Sequence, residues 1–334
     1  MGQTPIETFR ELLARPRRIA ITMHLKPDGD ALGSSLGLYH YLVKKGHRAS
    51  VISPTDYPDF LKWMPGNEAV VVGPDDPEKA RWDFESADLI FCLDFNELSR
   101  LGEFEKAVQD SEAETVMIDH HLEPVGFETY RYWDDTASST AELIHRWIVE
   151  MGDASLLDAD IAAPLYAGVM TDTGSFRFTN TSPAVHRMVA DLLEAGADPH
   201  AIHEQIFANS TLDRVRLTGH VLSNCLTVLP ELRTAYLRLD KEVFRQFNVR
   251  TGDTEGLVNY ALSIKGIDLG IMMSAQDDMV KFSFRSRNEV SASELAGHFN
   301  GGGHFYAAGG RIKADMDTAE KQLLETLKDF MAGS

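Results

Sequence analysis

Residues 18–31 read Arg18-Ile19-Ala20-Ile21-Thr22-Met23-His24-Leu25-Lys26-Pro27-Asp28-Gly29-Asp30-Ala31. The run Ile19 to Met23 is apolar without alternation, the mark of a strand buried on both faces. A Pro-Asp-Gly-Asp turn follows. Then Leu32, Leu36, Tyr39 and Leu42-Val43 fall on one face of a helix over 31–45, with Gly46 as its stop. A buried strand feeding a helix predicts a parallel sheet with crossover helices.

The pattern repeats outward. Strands are predicted at 49–53, 69–72, 87–93 and 114–118. From Ser138 helices take over, at 138–151, 159–170, 183–195 and 199–224, with a break at Gly196-Ala197-Asp198-Pro199. Strands return at 234–239, 267–275 and 279–285, between helices at 254–264, 291–298 and 318–331. The expected fold is α/β in two domains: a mostly parallel sheet with flanking helices over 1–195, a helical linker over 196–225 with a hinge near Gly196 to Pro199, and a smaller α/β domain over 226–334. The active site is expected in the cleft between them.

Composition bounds the function. The chain has 334 residues, 43% of them hydrophobic, enough for two cores. Cys92 and Cys225 are its two cysteines, far apart, and form neither a metal knuckle nor a disulfide framework. The N-terminal segment is amphipathic and lacks the apolar core of a signal peptide, so a cytoplasmic location and no membrane partner are expected. A net charge of −19 opposes a long nucleic acid, whose phosphates need many Lys or Arg contacts, and favours a small phosphorylated substrate.

Four acidic and histidine-rich islands carry the chemistry: His24 to Asp30, Asp94, Asp119-His120-His121, and Thr171-Asp172-Thr173-Gly174. Three follow predicted strands, whose carboxyl ends converge on the ligand edge of an open α/β sheet. Read alone, Asp28 or Asp30 is a helix cap, Asp94 a loop carboxylate, and Asp172 part of a helix-terminal turn. Paired histidines after an acid are rarely needed for packing. Together the islands suit two divalent cations sharing a water of lowered pKa. Mixed carboxylate and imidazole without thiolate suit Mn²⁺ or a related ion. Four Asp carboxylates offset two dications, so a hydroxide and a phosphate would leave the site negative and in need of further donors. Candidates lie far along the chain, in Phe284-Arg285-Ser286-Arg287 and in Asn300-Gly301-Gly302-Gly303-His304, whose glycines would let backbone N–H groups approach an anion.

These motifs, in this order and spanning nearly the whole chain, resemble the DHH phosphoesterase superfamily in the branch carrying the DHH-associated C-terminal domain. In length and two-domain form the chain is most similar to the nanoRNase and pAp phosphatase group. The resemblance implies a Mn²⁺-dependent hydrolase of very short oligoribonucleotides and of 3′-phosphoadenosine 5′-phosphate, with a homodimer as a further expected partner state. It implies that His24, Asp28 and Asp94 hold one metal, and that Asp30, Asp94, His120 and Asp172 hold the other, Asp94 bridging. Asp119 would orient His120, and His121 would face the substrate phosphate and assist proton transfer. Arg100, Arg285, Ser286, Gly302, Gly303 and His304 would bind substrate. Asn300 stands where many members carry another glycine. The competing readings are a stand-alone cyclic-di-AMP phosphodiesterase, a RecJ-like single-strand exonuclease, a family-II pyrophosphatase and, outside enzymes, a nucleotide-binding regulator.

Overall fold

The computed structural model of the chain describes residues 2–332. It divides into two compact units, with the division between Asn209 and Ser210. The first contains α1 (Ile6–Leu12), β1 (Arg18–Met23), α2 (Gly29–Lys44), β2 (Arg48–Ser53), β3 (Val70–Val72), α3 (Pro77–Glu85), β4 (Leu89–Leu93), α4 (Glu105–Gln109), β5 (Glu114–Asp119), β6 (Tyr130–Trp133), α5 (Thr140–Glu150), α6 (Ala159–Asp172), α7 (Pro183–Glu194) and α8 (Pro199–His203).

Its six strands run in the order β3-β2-β1-β4-β5-β6, each parallel to its neighbours. Successive side chains alternate between the faces. Ile19, Ile21, Met23, Phe91 and Ile118 enter the larger core with α2, α5 and α6, whereas Ala20, Ile90 and Cys92 join Phe84 and Phe104 on the other face. Chain order reverses where β1 lies beside β4, the position at which open sheets of this kind bind ligands. Met23 pairs with Leu93, and Leu93 with Ile118. The residues that leave these strand ends, His24, Asp94 and Asp119, therefore emerge side by side.

The fourth island reaches the same edge through helix packing. Gly29, Gly33 and Gly37 lie along one face of α2, and a Cβ on any of them would collide with α6: with Thr171 Oγ1, the Pro164 carbonyl oxygen and Leu165 respectively. On α6, a Cβ at Gly168 would fall 2.9 Å from Asp30 Oδ1. The close approach brings the carboxyl end of α6, with Asp172, to the amino end of α2, with Asp30. Gly33→Ala should cost about 2 kcal/mol from overpacking against backbone, lowering the midpoint of thermal unfolding by about 5 °C. Gly219→Ala is the control: beyond the backbone of its own helix nothing lies within 4 Å of its added Cβ, so helix propensity should raise the midpoint slightly. A Gly33→Ala protein as stable as the parent would refute the packing argument.

The break at Gly196 to Pro199 is a helix-to-helix turn inside this unit rather than a hinge in a linker. Gly196 sits at φ 105°, Asp198 caps α8, and Ala197, Ile202 and Ile206 pack in the larger core. The single helix expected over 199–224 is interrupted. A π turn at Glu204–Ala208 ends the first piece, and Thr211 caps the second.

The second unit contains α9 (Leu212–Asn224), β7 (Leu226–Leu229), β8 (Thr234–Leu239), α10 (Lys241–Gln246), α11 (Leu257–Leu262), β9 (Leu269–Ala275), β10 (Val280–Ser286), α12 (Ala292–Gly297), β11 (Gly302–His304), β12 (Ala307–Ile312) and α13 (Met316–Ala332). Its six-stranded sheet is ordered β11-β12-β10-β9-β8-β7, and β8–β9 is its parallel pair. Phe282, Phe284 and Phe299 pack with α12 and α13 on one face, and Leu237 and Met272 pack with α9 and α11 on the other. No helix among the described residues is long and apolar enough to cross a membrane.

Candidate metal centre

Asp94 is the middle of the centre. It follows β4 in the left-handed region, at φ 64°, a conformation that costs a non-glycine residue roughly 1–2 kcal/mol and that clusters at functional sites. The turn drives its carboxylate into the sheet edge, where it is 2% exposed. Its oxygens serve two sides. Oδ2 lies 3.4 Å from His24 Nε2; Oδ1 lies 3.5 Å from His120 Nε2 and 3.7 Å from His121 Nδ1.

Around it stand two donor groups. His24, Asp28 and Asp94 form one, with Asp28 Oδ2 3.9 Å from His24 Nε2. Asp30, His120 and Asp172 form the other, with His120 Nε2 3.9 Å from Asp30 Oδ2 and 3.5 Å from Asp172 Oδ2. Asp28 is both cap and candidate ligand: Oδ1 accepts from the backbone of Asp30 and Ala31, each at 3.1 Å, while Oδ2 faces His24. Asp30 is fully buried and accepts from the first two N–H groups of α5, Thr140 at 2.6 Å and Ala141 at 2.9 Å. These are orphan donors with a positive helix end behind them.

The electrostatics call for positive charge. Burial pushes the Asp30 carboxyl well above the usual range, and the charges of Asp94 and Asp172 push it further. Burial likewise lifts Asp172 to about 7, with Asp28 and Asp94 adding to the rise against the pull of His120. For Asp94 burial also acts upward, but hydrogen bonds from His120 and His24 outweigh it and hold the carboxyl well below its ordinary value. His120 and His24 are raised despite burial, chiefly by Asp94. The raised histidines thus favour positive charge beside carboxylates that repel one another. A divalent cation in each donor group would do so more fully. The residues fit two such ions in donor type, spacing and charge, and Asp119 Oδ2 is a further buried oxygen without a hydrogen-bond partner.

The histidine pair differs from expectation in one respect. Asp119 Oδ1 meets His121 Nδ1 at 2.7 Å, whereas His120 Nδ1 meets the Ala137 carbonyl at 3.3 Å. Residues two apart at a strand end point the same way, so Asp119 orients His121 rather than His120. Trp133 Nε1 donates to the His121 carbonyl at 2.7 Å and fixes its backbone. Arg100 sits beside the His24 side of the centre: its carbonyl accepts from Leu25 N at 2.8 Å, and its charge acts on the His24 ring.

Thr140 was not among the residues the sequence singled out. Its hydroxyl donates to Asp94 Oδ1 at 2.9 Å while its backbone holds Asp30. The sequence marks only the helix start, where Ser139 accepts from Glu142 N and Ser138 bonds the Glu142 carboxylate. Thr140→Val keeps the shape and removes the hydroxyl. Metal affinity should fall about 10- to 100-fold, the usual cost of losing a hydrogen bond behind a ligand. Calorimetric titration showing parental affinity would exclude the role.

In the second unit, Arg285 on β10 and His304 on β11 both pair with Ala307 of β12, on the sheet face opposite Phe284. The buried Ser286 hydroxyl donates to the Phe305 carbonyl at 3.4 Å. Gly302 and Gly303 enter the edge strand β11, and Gly301 precedes it. Gly301 and Gly303 are required by backbone of β12, which a Cβ on either would strike. A Cβ on Gly302 would meet nothing within 4 Å. Asn300 lies at φ 50°, a left-handed position that Asn tolerates better than most non-glycine residues.

A parallel sheet with this centre at its switch point, followed by a mixed-sheet unit, defines a DHH-type protein. Residues 18–169 match the DHH family, N-terminal domain, and residues 233–333 match the DHHA1 domain; the chain belongs to this family. It is 33% identical to the bifunctional oligoribonuclease and PAP phosphatase NrnA of Thermus thermophilus, over 93% of this chain and 89% of that protein. The protein of that name from Bacillus subtilis is 27% identical over 92% of this chain and 94% of its own length. Among solved structures, an exopolyphosphatase-related protein from Bacteroides fragilis superposes with a TM-score of 0.93 at 38% identity, covering 98% of this chain and 96% of that one.

Proposed function

We propose that the chain is a two-metal phosphoesterase that hydrolyses very short oligoribonucleotides and 3′-phosphoadenosine 5′-phosphate, releasing AMP from the latter. The observation that carries this reading is the Asp94 carboxylate, one oxygen facing each donor group. The names of the two NrnA relatives, aligned over nearly their whole lengths, support the substrate class.

His24, Asp28 and Asp94 would hold one ion; Asp30, Asp94, His120 and Asp172 would hold the other. Imidazole and carboxylate without thiolate make Mn²⁺ the favoured choice. When bound, the two cations would polarise a phosphoryl oxygen and acidify a water. Thr140 holds two of the ligands in place. Asp119 fixes the His121 tautomer through Nδ1, so Nε2 is the nitrogen that handles a proton. Arg100 adds positive charge beside His24.

Arg285, Ser286, Gly302, Gly303 and His304 supply substrate contacts in this reading. Arg285→Ala should raise KM about 10- to 100-fold, the cost of a lost charge-assisted hydrogen-bond pair, with the metal content unchanged. Loss of metal from that variant would refute the division of labour. The reading as a whole is tested by offering the Mn²⁺-loaded protein pAp, a ribodinucleotide, a long single strand, cyclic-di-AMP and pyrophosphate side by side. Preference for the first two is expected; preference for any of the last three overturns it.

A further inference from the structure

Phe305 and Tyr306 are the two residues of the turn joining β11 to β12, since His304 pairs with Ala307. Two-residue hairpin turns favour Asn and Gly, so the turn itself has no use for two aromatics. Neither ring belongs to a core of the second unit. They are 45% and 40% exposed, edge to face, with centroids 4.8 Å apart at 79°. Their backbone is pinned: Ala292 N donates to the Phe305 carbonyl at 2.6 Å, and Ser286 N to the Tyr306 carbonyl at 3.0 Å. The ring pair is thus held on a braced turn, next in register to Arg285 and His304.

We propose that Phe305 and Tyr306 form a nucleobase-stacking platform that lets the second unit bind nucleotides in preference to base-free phosphates. The proposal rests on the reading of the chain as a phosphoesterase of short oligoribonucleotides and names the part of the substrate that this turn recognises. A fixed aromatic face gives up little conformational entropy on binding. It accepts any base, because every base offers a π-face, which suits an enzyme that must take short fragments of any sequence. Arg285 beside it supplies a charged partner for the phosphate.

The test uses binding, so that it separates from turnover. The full chain is titrated by calorimetry with AMP and with ribose 5-phosphate, which keeps the phosphate and sugar and lacks the base. The parent should bind AMP at least about tenfold more tightly. The Phe305→Leu/Tyr306→Leu double variant keeps apolar bulk without π-faces and should lose that preference while binding ribose 5-phosphate as before. Phe305→Tyr/Tyr306→Phe should retain it. No AMP preference in the parent, an unchanged preference in the leucine variant, or equal weakening of both ligands in that variant overturns the platform. Failure of the phosphoesterase reading appears separately, as absence of hydrolysis by a parent that still prefers AMP.

Discussion

An Asp94→Ala protein should fold and lose turnover by on the order of 10³-fold or more. The side chain lies at a strand end, outside both cores of its unit, so the sheet survives its removal. What is lost is the carboxylate whose two oxygens face the two donor groups. Two-metal sites contribute several kcal/mol of charge stabilisation, and each 1.36 kcal/mol is worth about tenfold in rate. The comparison is single-turnover hydrolysis of pAp by both proteins at equal Mn²⁺, with circular dichroism to show a common fold. Near-parental hydrolysis by the folded variant would remove Asp94 from the mechanism.

Replacing His121 by Asn should lower kcat by about 10²- to 10⁴-fold, the range for a lost proton-transfer group, while both ions stay bound. Its Nδ1 is engaged with Asp119 at 2.7 Å and stands 3.7 Å from Asp94 Oδ1. Asp94, Asp119 and His121 are also close enough to hold a cation among themselves, so metal analysis decides between the two roles. A His121→Asn protein that loses an ion makes His121 a ligand; one that keeps both ions and full kcat removes it from the chemistry. Asp119→Asn should follow His121→Asn in kcat with a smaller loss, because it acts by holding the ring.

The sequence made the centre's edge of the fold legible because its signals are local. An apolar run, a Pro-Asp-Gly-Asp turn and a helical stripe are contiguous from Ile19 to Val43. The parallel register then carries His24, Asp94 and Asp119 to one place. What stayed hidden depends on contacts between distant segments. Gly33 reads as a cost to a helix until Pro164 is seen against it. Thr140 reads as part of a helix start until its hydroxyl is seen on Asp94. The strand β6 escaped notice because it is a short edge strand whose Arg131 is buried against Glu128. Glycine-rich β11 and β12 are absent from the predicted strands because glycine is poor in strands, whereas Gly303 and Gly310 here meet close neighbours that leave no room for a Cβ. The assignment of Asp119 to His120 failed on side-chain direction, which adjacency in sequence does not reveal.

The central claim is that two cations share Asp94. Electron paramagnetic resonance of the Mn²⁺-titrated protein tests it most directly. The parent should bind two ions per chain and show the signal of a spin-coupled pair. Asp94→Ala should show only the six-line signal of isolated ions. A single ion per chain, or two ions that remain uncoupled with Asp94 in place, would contradict the account.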